Sequence, residues 1–151
     1  MPADATRVLW LATGNDKKRA ELERLLAPLG TAVRTLADAE RQLGEAIPIV
    51  EDQPDFPGNA AKKAIPLATA MGAVALGDDS GLCVDALGGA PGVRSARWAG
   101  PDATDADRIE KLQAELRTVG ATEPAQRKAN FVCSICLAGP DAQGNTVVRA
   151  T

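Results

Sequence analysis

The sequence predicts an α/β fold, and three observations predict it. Arg7 to Ala12 (RVLWLA) is a short apolar run ending at Thr13-Gly14-Asn15, followed by a charged helical pattern with Leu22, Leu25, Leu26 and Leu29 on one face. Gly30 stops that helix and Ala32 to Leu36 can form a second strand, so the chain opens strand, loop, helix, strand. Ala73 to Leu76 is a second apolar run, read as a buried strand, and it places the adjacent acids Asp78 and Asp79 at its carboxyl end. Ligand sites in open α/β sheets favour that edge.

The remaining elements follow in order. An acidic, turn-prone stretch comes after Leu36. A second helix begins near Pro57, favourable at a first helical position, and runs to Met71 with Gly72 closing it. Pro66 removes an internal hydrogen bond, so a kink or two shorter helices are expected there. In the third helix, Thr104 with Asp107 resembles a capping box, Ile109, Leu112, Leu116 and Val119 form the buried stripe, and Gly120 ends it. Asn130 to Ala138 and Thr146 to Ala150 are strand candidates joined by the turn-rich GPDAQGN, a hairpin connection.

At 151 residues the chain suits one domain, and a domain of this size buries about 68–70% of its unfolded surface. An apolar content of 45% with 3% aromatics implies a core of Ala, Leu and Val, with Trp10, Phe56, Trp98 and Phe131 as the few large fillers. A net charge of −3 argues against a protein that grips long nucleic acid, which needs clustered cations, but allows a small anion carried in with a divalent cation. No run is long enough to span a membrane and MPADATRV lacks signal-peptide character, so a cytoplasmic location is expected. Cys83, Cys133 and Cys136 are an odd set without a secretory signal, which argues against a disulfide framework. The CxxC pair lies in a strand-like run where residues three apart point to opposite faces, and the thiols are read as core residues. The absence of histidine excludes His-based triads and His-ligated zinc.

Two constellations carry chemistry. In Thr13-Gly14-Asn15-Asp16-Lys17-Lys18 a strand-to-helix turn of small residues lets backbone N–H groups approach a phosphate, with Lys17 or Lys18 adding charge and Asn15 an amide; the alternative is that Asn15 or Asp16 is only a helix cap. Glu51, Asp78 and Asp79 supply the hard oxygens that Mg²⁺ prefers, completed by phosphates and water. Neighbouring strand residues alternate sides, so one of the two adjacent acids reaches the metal and the other holds structure, unless both form a solvated turn. A carboxylate beside the ion can take the proton of an attacking water, and Asp79 is the candidate. Ser80 is either a phosphate contact or a turn residue. Arg94 and Arg97, beyond the Gly88–Gly92 turn, are either phosphate ligands folded back toward the acids or surface cations.

In this order and spacing, ATGNDKKRAELERLL, FPGNAAKKA and DDSGLCVDALGGAPGVRSARWAG resemble the inosine/xanthosine triphosphate pyrophosphatase family, the noncanonical purine nucleotide hydrolases, over nearly the whole chain. The resemblance implies an elongated mixed β-sheet flanked by helices, with two lobes and a central cleft that takes a nucleoside triphosphate with Mg²⁺, and a homodimer. It implies hydrolysis of ITP, dITP and XTP to the monophosphate and pyrophosphate. By the same resemblance Thr13 to Lys18 form the triphosphate loop, Glu51 and Asp79 are metal-associated, Asp79 is also the proton acceptor, and Ser80 contacts substrate. Asn59 and Lys63 help position phosphates or support the carboxylates.

The chain departs from that pattern at Asp52-Gln53, where the family usually has Thr-Gly, and at Gly58, where many members carry Glu. Pro66, Arg94 and Trp98 are further differences. The family's Phe-Gly-Tyr-Asp, lysine and Ser-His-Arg segments, expected to read the purine, have no counterpart here. Residues 1–151 are therefore expected to be one such domain lacking its C-terminal portion, and base selectivity cannot be assigned to a residue. Two alternatives remain: an inactive nucleotide- and Mg²⁺-binding fragment, and a related pyrophosphatase with another base preference.

Overall fold

The computed structural model describes residues 7–151. The reading of the MPADATRV start concerns residues that lie mostly outside this range. Five strands form one mixed sheet in the order β2-β1-β3-β4-β5, flanked by helices. The chain divides into two compact units: the first runs to Asp78 and resumes at Ser134, and the second is Asp79–Cys133.

In the first unit, β1 (Arg7–Ala12) takes the predicted apolar run and pairs in parallel with β2 (Thr31–Thr35) and with β3 (Ala75–Val84), the latter from Trp10↔Ala75 to Ala12↔Gly77. Helix α1 (Asp16–Leu26) continues into a 3-10 turn, Ala27–Leu29, closed by left-handed Gly30. Its leucine face is only half covered: none of its residues is buried, and Leu25 and Leu29 are 56% and 66% exposed. Periodicity showed which side faces inward, but not how much protein lies there.

The stretch read as turn-prone is a helix, α2 (Leu36–Leu43). The Thr35 hydroxyl accepts from the Asp38 N–H at 3.2 Å while the Asp38 carboxylate accepts from the Thr35 N–H at 2.9 Å, a capping box with Asp in place of Glu. Leu36, Ala39 and Leu43 give it an apolar edge, and Ala39 is fully buried.

Helix α3 (Phe56–Met71) starts at the Asp55 cap, whose carboxylate accepts from the Gly58 N–H at 2.8 Å, and ends at left-handed Gly72. It is one helix, not two. Pro66 costs a hydrogen bond, but Asn59, Ala60, Ala64, Leu67 and Ala68 bury the helix on both sides of it. The core beneath is built largely of alanine around Trp10, Leu67 and Cys136, as the composition implied. A methyl group at Gly77 would run into the Ala60 carbonyl, the Ala64 nitrogen and the Lys63 Cβ, so α3 rides directly on the β3 backbone. β4 (Ala129–Pro140) and β5 (Thr146–Ala150) form the predicted antiparallel hairpin, its turn held by the Asp141 carboxylate accepting from Gln143 N–H at 2.9 Å and Asn145 N–H at 2.8 Å.

The second unit has a small core of Val84, Leu116 and Ala121. Helix α4 (Asp105–Thr118) carries the predicted Thr104–Asp107 capping box. Only part of its predicted stripe is inside: Leu116 is buried, whereas Ile109 and Val119 are 60% and 52% exposed. Ser95, in the 3-10 segment Gly92–Arg97, donates to the Gly92 carbonyl at 2.6 Å and accepts from the Leu82 N–H at 2.9 Å. Phe131, expected as a core filler, is 87% exposed, because the strand phase that points Cys136 inward points Phe131, Cys133 and Ile135 out. The reading of both CxxC thiols as core residues therefore holds for Cys136, whose thiol burial pushes up, and fails for exposed Cys133.

Two outcomes follow. Gly77→Ala should cost about 1–3 kcal/mol in urea denaturation, because the obstructing atoms are mostly helix backbone. Hydrogen bonds from the Thr35 N–H and hydroxyl, then from Arg41, lower the Asp38 carboxyl from 3.8 to about 2. A pKa depressed in the folded state means stability present above 3.8 and lost as pH falls through about 2. Stability measured against pH should therefore fall less steeply over that window in Asp38→Asn than in the parent.

Candidate active site

The parallel segment of the sheet ends at Leu11↔Thr35 and Ala12↔Gly77, and the loop Thr13-Gly14-Asn15 leaves β1 at that edge. Asp78 is the next residue of β3, so it lies at the carboxyl edge of the parallel segment. The acids do not end their strand as expected; β3 continues to Val84, because the residues after Ser80 keep extending it.

Asn15 is the N-cap of α1. Its side-chain oxygen accepts from the Lys17 and Lys18 N–H groups at 3.0 and 3.2 Å, and its own N–H donates to the Thr13 hydroxyl at 3.2 Å. The capping alternative therefore applies to Asn15, and two first-turn amides counted toward a phosphate are already engaged. Asp16 opens the helix with its side chain 92% exposed, 3.6 Å from Arg19, and Lys17 is also exposed. Neither joins the acids.

Lys18 does join them: its ammonium is paired with the buried Asp78 carboxylate. Lys63, on α3, is paired with the Glu51 carboxylate and donates at 2.9 Å to the Asp78 backbone carbonyl. Lys18, Asp78, Lys63 and Glu51 thus form an alternating chain of cations and oxygens beside the loop. A cavity of about 200 Å³ opens there, lined by Thr13, Gly14, Leu36, Ile49, Glu51 and Lys63.

Glu51 sits on the irregular segment between α2 and α3, beside the Asp52–Lys62 ion pair at 3.3 Å. The Gln53 amide, then Lys62, lowers the Asp52 carboxyl below the ordinary range. Asn59 is 1% exposed; its side-chain oxygen accepts from the Gln53 N–H at 3.0 Å and its amide donates to the Gln53 carbonyl at 3.2 Å. The sequence reading missed this backbone partner and the Asp52–Lys62 pair. The available signal was Asn59 and Lys63 four residues apart, on one face of a helix.

Among the described residues no group of three or more Cys, Asp or Glu side chains gathers as a ready-made metal nest. The donor chemistry nevertheless fits Mg²⁺, which is bound by one or two carboxylates plus substrate phosphates. The Lys63 ammonium already lies between the Glu51 carboxylate and the Asp78 carbonyl, showing that these oxygens favour a cation.

In the second unit, Asp79 is buried and Ser80 half-buried at the start of its stretch of β3. Arg94 and Arg97 lie three apart on a 3-10 segment, the spacing that eclipses side chains. They border a cavity of about 560 Å³ with Trp98, Asp107, Glu110 and Lys111. Lys111 stands 4.4 Å from the Trp98 ring centroid and donates to its carbonyl at 2.7 Å.

The chain is 44% identical over 136 residues to a dITP/XTP pyrophosphatase of Bradyrhizobium diazoefficiens, covering 90% of this chain and 62% of that protein. It is 45% identical over 133 residues to a dITP/XTP pyrophosphatase of Zymomonas mobilis, covering 88% and 60%. The chain spans about three fifths of the length of these curated relatives. Its fold matches a HAM1 protein from Coxiella burnetii with a TM-score of 0.78 at 34% identity, over 94% of this chain and 68% of that one. It matches the Staphylococcus aureus Ham1 protein with a TM-score of 0.75 at 31% identity, over 94% and 67%. The Ham1 family model matches residues 9–151, and with these relatives it shows that the chain belongs to the Ham1 family.

Proposed function

We propose that this chain hydrolyses the noncanonical purine nucleoside triphosphates ITP, dITP and XTP to the monophosphate and pyrophosphate, clearing deaminated purines from the nucleotide pool. The observation that carries the reading is the Lys18–Asp78–Lys63–Glu51 chain at the sheet's carboxyl edge, which pairs phosphate-binding cations with metal-binding oxygens. The names of the two bacterial relatives support the substrate class.

Thr13, Gly14 and the amide nitrogen of Asn15 present donors to the phosphates, and Lys18 and Lys63 exchange a carboxylate partner for a phosphate oxygen. Glu51 and Asp79 would hold Mg²⁺, with Asp78, the neighbour on the alternate side of the strand and paired with Lys18, supporting them. The bound ion neutralises charge on the phosphoryl oxygens. Asp79 takes a proton from the attacking water; the water oxygen bonds to the α-phosphorus, and the bond to the bridging oxygen breaks, releasing pyrophosphate. Ser80 and Arg97 are further phosphate contacts in the same reading. Asp16 and Lys17 remain at the loop's exposed rim, where Lys17 attracts the incoming anion. A homodimer and a cytoplasmic location belong to the same reading; among the described residues no helix is long and apolar enough to cross a membrane.

Pyrophosphate release measured with Mg²⁺ should favour dITP and XTP over ATP, GTP, UTP and dTTP. Asp79→Asn should lower kcat by about 10²–10⁴-fold with the melting temperature retained, as expected for loss of a general base. An unchanged rate in the variant would remove Asp79 from this role, and nucleotide binding without release by the parent chain would overturn the activity. Lys18→Met should lower stability by about 1–3 kcal/mol in urea, because it strips a buried carboxylate of its cation, and Lys18→Met/Asp78→Asn should recover most of that loss.

A further inference from the structure

Asn59 was expected either to help position phosphates or to support the carboxylates, and its contacts favour the second task. A buried amide must satisfy both its oxygen and its nitrogen, and Asn59 directs both to the backbone of one residue, Gln53. Residues 45–55 between α2 and α3 contain no helix or strand, so their backbone groups depend on side-chain partners; the Glu40 carboxylate likewise accepts from the Ile47 N–H at 3.0 Å. Gln53 is two residues past Glu51. Four residues beyond Asn59 on the same helix face, Lys63 holds the Glu51 carboxylate itself.

Gly58, at the start of α3, bears on the same contact. A methyl group built on Gly58 would lie 2.8 Å from both the Gln53 Cβ and the Asp55 carboxylate. The Gln53 side chain therefore seats on the first turn of α3 in space that only a glycine at position 58 leaves open.

We propose that Asn59 is a positioning residue which, with Gly58 making room, clamps Gln53 to α3 and so fixes Glu51 in the geometry that receives the divalent cation. This rests on the proposed Mg²⁺-dependent reading of the site and deepens it. Loss of a residue that orients a metal ligand characteristically weakens metal affinity or activity by about 10–100-fold.

The test is the Mg²⁺ dependence of pyrophosphate release from dITP. Asn59→Ala should raise the half-saturating Mg²⁺ concentration about tenfold or more, with the rate largely recovered at saturating Mg²⁺ and the nucleotide KM there unchanged. Gly58→Ala should shift it in the same direction, and Gln53→Gly/Gly58→Ala should return toward the parent. Leu67→Val, a core change in the same helix, should lower the melting temperature without moving the Mg²⁺ requirement. Amide exchange followed by NMR should show the Gln53 N–H protected in the parent and unprotected in Asn59→Ala. Faster Gln53 exchange with an unaltered Mg²⁺ requirement would overturn the proposal, as would a uniform fall in kcat without any Mg²⁺ shift. If the parent releases no pyrophosphate, the activity reading fails by itself. Titration with Mn²⁺ alone, read by water-proton relaxation, then decides the clamp: weaker binding in Asn59→Ala upholds it and equal binding overturns it.

Discussion

The close approach of α3 to β3 at Gly77 is the constraint on which the candidate site depends. With no side chain at Gly77, the helix backbone at Ala60 and Ala64 lies on the strand, and the alanine-rich core beneath needs that short separation to leave no void. Lys63, whose Cβ also borders Gly77, thereby reaches the Asp78 carbonyl and the Glu51 carboxylate together. One packing contact thus sets the core spacing and brings an acid from an irregular segment to an acid on the sheet.

The electrostatics follow from that arrangement. Asp78 and Glu51 each have a lysine partner, so their charges are compensated within the protein. Removing charges from water is costly, and pairing them lowers the cost. The pairing also leaves groups ready to exchange partners: a phosphate can take the lysines while a divalent cation takes the carboxylates. In the proposed reaction the charge pattern of the substrate and its metal mirrors the one the protein already holds.

The sequence was most legible where local chemistry decides structure. RVLWLA, the Pro57 start and Gly72 end of α3, the Thr104–Asp107 box and the GPDAQGN turn each carry their own signal, and each was found in place. The same kind of signal was present but unread at Thr35–Asp38, where a capping box turns an acidic stretch into α2. Burial was less legible. Leu25, Leu29, Ile109, Val119 and Phe131 have apolar side chains in regular patterns, yet they are exposed, because periodicity gives a direction and not the presence of a neighbour.

For the candidate site, the sequence by itself determined the inventory and its local order: a small-residue loop after a strand, two adjacent acids, an acid before a helix, and Asn59 with Lys63 one turn apart. These are properties of residue type and short spacing, which the chain carries without its fold. Only the tertiary structure decided which groups meet. It paired Lys18 with Asp78 and Lys63 with Glu51, left Asp16 and Lys17 at the surface, engaged Asn15 as a cap, and turned Asn59 to the backbone of Gln53. Those pairings join residues up to sixty positions apart. They arise from the register of β1 on β3 and the seating of α3 on Gly77, both set by how the core packs.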